Sequence, residues 1–156
     1  GTIDLSAYVN APSGQAISIS AVDFVYQNGT DFGQDAASML QGNGSISAQL
    51  TDLNPGTTFV RADNQSLVAS AGLNIDIANS IVSHQADLYP DSFGNASLSE
   101  TFMVVNDQLY LVAGPDLSAI AAAKDVYVTA RCRVSVVKLG NKDWVSLALQ
   151  SVASDN

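Results

Sequence analysis

A chain of 156 residues with one cysteine fits a single domain over 1–156 that buries its own core without an internal disulfide. Charged residues make up 13% of it, and 15 acids against six bases leave a net charge of −9; this disfavours nucleic acid and anionic membranes, whose phosphates need clustered Lys and Arg. Every acid but Glu100 is Asp, a residue of turns and caps, which favours strands and loops over helices.

Apolar and polar residues alternate from Ile3 to Val9, the period of a half-buried strand. Pro12-Ser13-Gly14 breaks the run. A long second strand follows from Ile17 through Tyr26, rich in β-branched and aromatic residues, and Asn28-Gly29 signals a turn. Residues 31–44 read as a loop with about one helical turn around Ala36 to Leu40. Ser45 to Leu50 alternates again, Asn54-Pro55-Gly56 turns the chain, and Thr57 to Arg61 is a further strand candidate. The stretch 66–83 is ambiguous between strand and helix, with strand favoured at Leu73 to Ile77. Ser97–Val105 and Gln108–Ala113 read as two strands joined at Asn106-Asp107.

Pro115, Asp116 and the run Ala121-Ala122-Ala123 predict one short helix near 116–124. Asp125 to Leu139 is the longest predicted strand. Its even positions Val126, Val128, Ala130, Cys132, Val134 and Val136 form an apolar face, with Tyr127, Thr129, Arg131, Arg133 and Ser135 opposite. A turn at 140–143 then leads into a final strand, Trp144 to Val152. The sum is an all-β fold, a two-sheet antiparallel sandwich wired as a single jelly roll; an immunoglobulin-like sandwich is the alternative, without its paired cysteines.

No catalytic constellation emerges. His84 is the sole histidine, so no multi-His metal site exists, and no nucleophile motif accompanies it. Cys132 falls on the apolar face of its strand and reads as a small core hydrophobe. Asp31 with Asp35, and Asp87 with Asp91, leave calcium at a loop or subunit contact as the one conceivable cofactor. Lys124, Arg131, Arg133 and Lys138 are the only basic cluster, expected to neutralise acids within the same sheet. Four Asn-x-Ser/Thr acceptor matches, at Asn28, Asn43, Asn64 and Asn95, are not far above chance in so Asn- and Ser-rich a chain. No run reaches the roughly 18 apolar residues of a membrane span.

The openings Ile3-Asp4-Leu5-Ser6-Ala7-Tyr8-Val9 and Ile17-Ser18-Ile19-Ser20-Ala21-Val22-Asp23-Phe24, with the closing run Asp125 to Val134, resemble the strands of small single-jelly-roll virion shell proteins. The resemblance is one of texture at the two ends of the chain. It implies a non-enzymatic capsid subunit in a virion, assembling with copies of itself and with other virion proteins. No basic run precedes Ile3, so direct contact with a genome is not implied. Phe32, Met39, Leu40, Tyr89 and Phe93, apolar residues in Gly- and Asp-punctuated segments, are the expected subunit contacts, unless they fold back over the core. The competing expectation is a non-catalytic extracellular or cell-surface binding module, of carbohydrate-binding or adhesin type, with Trp144, Tyr89 and Tyr110 available to stack on a sugar.

Overall fold

The computed structural model describes residues 1–29, 35–86, 101–122 and 124–154, with side chains through 149. The strands are β1 (Thr2–Asp4), β2 (Gln15–Asn28), β3 (Gly44–Thr51), β4 (Leu67–Asp76), β5 (Ile81–Ala86), β6 (Phe102–Val104), β7 (Gln108–Asp116) and β8 (Val126–Lys138), followed by a helix, α1 (Asn141–Ser154). They form two antiparallel sheets, ordered β1-β7-β3-β4-β5 and β6-β2-β8. Successive strands β3, β4 and β5 pair with one another as a meander.

The main core lies between the sheets. Ile17, Ile19, Val22 and Phe24 of β2 meet Ala48 and Leu50 of β3, Ala69 and Ala71 of β4, and Leu109 of β7. The inward residues follow the period-two alternation visible in the sequence, interrupted once. A bulge at Ser20 puts Ile19 opposite Val134 and Ala21 opposite Arg133, so the inward set of β2 switches from odd to even numbers. Met39 and Leu40 close one end with Ile46, Leu73 and Ile75. A third cluster sits outside the second sheet, where Leu147 of α1 packs on Ala16, Met103 and Val105.

Several expected elements differ. The final strand over 144–152 is instead helical, and the helix expected near 116–124 is absent. Trp144, Leu147 and Ala148 stand at i, i+3 and i+4, and all three pack against the second sheet on one side of the helix. Residues 118–121 instead run beside 39–42: Ile120 bridges Leu40, Ala121 N–H donates to the Met39 carbonyl at 2.8 Å, and Gln41 N–H donates to that of Ala119 at 2.9 Å. An isolated helix of about two turns is marginal, because nucleation is costly; here the same backbone groups find partners in a neighbouring loop.

The first strand stops at Asp4 because the Leu5 carbonyl turns back to accept from Tyr8 and Val9. The candidate strand at 57–61 is irregular; the Gln49 side-chain amide both donates to and accepts from the Val60 backbone at 2.8 Å, standing in for a strand neighbour. The ambiguous stretch 66–83 resolves into β4 and β5 around a turn in which Ser80 has φ of 54°.

Candidate functional site

β8 is the edge of the three-stranded sheet. Over 126–138 it pairs with β2, and among the described residues it has no strand on its other side. In an edge strand roughly every second residue turns both N–H and C=O outward. Neither Pro nor Gly interrupts the 13 residues. The other sheet edges are shorter: β1 has three residues, β6 three and β5 six.

The apolar face expected for this strand exists, but it is only half covered. Val128, Ala130 and Cys132 touch the main core, and Val126 and Val128 touch the end cluster with Met39 and Leu40. Val134 and Val136 lie opposite Ile19 and Ile17, both fully buried, and so point to the same inward side. They are nevertheless 43% and 49% exposed. The row thus runs past the rim of the larger sheet and into solvent.

At the other end of the row, beside the start of β8, lies a groove of about 620 Å³ lined by Ile46, by Gly114 and Pro115 of β7, and by Val126 and Val128. β1 covers β7 only over 108–110, so Pro115, which lacks an N–H, lies where β7 has no strand on that side. Leu117, just past β7, is 90% exposed and holds φ at 65°. A bulky residue in the left-handed region is an outlier costing about 1–2 kcal/mol, here retained on an apolar tip next in sequence to the groove wall.

The electrostatics of β8 are uneven. Residues 124–138 hold four of the six bases and one acid, a net +3 against −12 for the remainder. On the outer face Arg131 forms an ion pair with Asp23 of β2, as expected of a cluster neutralised within its sheet. Both side chains are substantially exposed, so the pair contributes about 0–1 kcal/mol. Arg133 lies opposite Ala21, and neither Arg133 nor Lys138 has an acidic partner among the described residues.

The remaining candidates do not gather into one place. Met39 and Leu40 are 3% and 2% exposed and fill the chain's own core, which is the folded-back position, and so present almost no surface. Phe32, Tyr89 and Phe93 lie outside the described residues. His84 on β5 meets the Tyr26 ring edge-on at 5.6 Å; the Tyr26 phenol is pushed up to about 12 by burial, and its buried hydroxyl finds no hydrogen-bond partner among the described residues. Burial also pushes the Cys132 thiol up, away from thiolate chemistry. Trp144 secures α1, its Nε1 donating to the Gln15 carbonyl at 3.0 Å, while Tyr110 sits on β7 and bonds Gln108; these two form no common sugar platform. Asp35 caps a 3₁₀ turn at Ala36–Met39 by accepting from the Ala37 N–H, and no group of three or more His, Cys, Asp or Glu converges among the described residues. No helix among them is long and apolar enough to cross a membrane.

Sequence reasoning found the β8 row but not its exposure, which depends on how far the opposing sheet extends. Leu117 had no sequence signal, because its neighbours suggested a helix start. No family model, curated protein or solved structure matches this chain.

Proposed function

We propose that the chain is a non-catalytic binding module whose working surface is the open side of the sandwich, formed by the inward row of β8, the groove beside it and Leu117. The observation that carries this reading is the continuation of an apolar core row into solvent at Val134 and Val136. Exposed apolar area at one end of the row and a groove at the other are the usual marks of contact surfaces. An extracellular or cell-surface setting suits the sparsely charged, polar exterior. The Cys132 thiol, with its raised pKa, and the His84–Tyr26 ring contact support a role without covalent or acid–base chemistry.

A shell subunit of a virion is the second reading. It is favoured by the length of the bare β8 edge, which offers a neighbouring copy a large contact. The jelly-roll wiring expected of such a subunit is a separate proposal, because β3, β4 and β5 run as a meander. Light scattering separates the readings: discrete large assemblies support the shell, a stable monomer the module.

Selection of peptides from an unbiased displayed library tests the module reading directly. Selected peptides should compete with one another and lose binding to a Leu117→Asp, Val136→Asp double variant that still melts cooperatively. Peptides that bind wild type and variant equally would place the working surface elsewhere and overturn the reading.

A further inference from the structure

We propose that β8 accepts an extended segment of a partner protein as a fourth strand of its sheet, and that this segment alternates apolar with acidic side chains. The inference rests on the module reading above and names its partner.

The backbone supplies the first argument. A 13-residue edge spans about 40 Å at strand rise and turns roughly six N–H and six C=O groups outward. Natural proteins blunt such edges with short strands, prolines or inward-pointing charges. Here the inward side carries no charge from Val126 to Val136. Among the described residues no strand meets this edge beyond Tyr127, over 128–138, and main-chain pairing there gives affinity without a deep pocket.

Side-chain alternation supplies the second. A strand laid beside β8 sends every other residue inward, next to the row from Val126 to Val136. Apolar residues there would cover Val134 and Val136, now half exposed. The intervening residues fall on the outer face, beside Arg131 and Arg133. Arg131 already faces Asp23 across the sheet, whereas Arg133 faces Ala21. Acids at those positions would face Arg133 across the new ladder; Lys138, at the strand's end, has the parity of the inward row.

The same charges argue against a second copy pairing through its own β8 in the register that keeps the whole strand paired. An antiparallel pair centred on Cys132 would set Arg131 opposite the other copy's Arg133, and like charges directly opposite are destabilising.

The test uses the whole protein and synthetic peptides about as long as β8. One alternates Val with Glu, a second alternates Val with Lys, and a third is the Glu peptide N-methylated at every residue, so that neither edge has an N–H to donate. Fluorescence anisotropy should show binding of the first only. Arg133→Glu should weaken it about ten-fold, a loss of about 1.4 kcal/mol, and added salt should weaken it in wild type. A melting curve on Arg133→Glu checks that this exposed substitution leaves the fold intact. Cys132, the only cysteine, lies on the covered face, so its reaction with a thiol reagent should slow about ten-fold at saturation. Equal binding of the Lys peptide, binding of the N-methylated peptide, or unchanged Cys132 labelling in the complex would each overturn the proposal. So would self-association of the protein alone that Arg133→Glu alters and the Glu peptide blocks, since the occupant is then a second copy. If unbiased selection yields peptides that need Leu117 and Val136 but carry no acidic alternation, the partner chemistry fails while the module reading stands.

Discussion

Single side chains hold much of the information about how this protein responds to its surroundings. Tyr26 is the plainest case. Burial pushes its phenol from 10 up to about 12, so the folded state favours the protonated form more than the unfolded state does. Its contribution to stability is therefore fully present below pH 10 and is lost as pH rises from about 10 through about 12. Absorbance at alkaline pH should reveal a phenol ionising near pH 12, and denaturant midpoints should fall over that window; Tyr26→Phe should remove both the late titration and its share of the fall. Leu117 combines strain with exposure, and the two point in opposite directions. Leu117→Gly relieves the left-handed backbone at the expense of unfolded-state entropy, so stability should stay level or rise by up to about 1 kcal/mol, while peptide capture at the open side falls. Thermal melts and a binding assay on the same variant check both halves. A large loss of stability would mean that Leu117 holds up the fold instead. Gly14 is the reverse case: φ of 73° and a Leu139 carbonyl oxygen that would collide with any Cβ there should make Gly14→Ala destabilising by more than about 2 kcal/mol, read from the denaturant midpoint.

Elements differ in how openly the sequence declares them. β8 was legible because its alternation survives unbroken, while the bulge falls on its partner at Ser20. β2 and β3 were legible for the same reason. The segment 141–154 was not, because Trp144, Leu147 and Ala148 fit a helix while Leu147 and Leu149 also fit a strand; what decides is the outer face of the second sheet, which buries Leu147 to 2% exposure. The alanine run at 121–123 misled in the opposite direction, since propensity is a weak prior against the four hydrogen bonds that tie 118–121 to 39–42. The candidate site was half legible: the apolar row of β8 and its basic neighbours stood in the sequence, but only the extent of the facing sheet reveals which end of the row meets water. Leu147→Ala should cost about 2–4 kcal/mol. Trp144 is the only tryptophan and reports the event locally. Its emission should redden at a lower temperature than the sheet signal is lost; coincident transitions would show α1 to be inseparable from the sandwich.

The whole molecule carries its charge unevenly, a basic edge on an acidic body. At neutral pH the −9 net charge opposes close approach of copies. Near the sequence pI of about 4.1 that repulsion vanishes, so solubility should reach a minimum there, with thioflavin-positive aggregate suppressed by Val134→Lys. Aggregation unaffected by that change would implicate some other surface. The long pairing of β2 with β8 also bears on the protein's birth. β2 is synthesised well before β8, its long neighbour among the described residues, which begins at residue 126. Until then Ile17, Ile19, Val22 and Phe24 have the facing sheet to pack on but lack β8 beside them. Such distant pairing makes folding slow, on the millisecond-to-second scale, and nascent chains stalled before residue 126 should be held by chaperones and cut readily by protease, whereas chains released after 138 should become resistant together, in one late step.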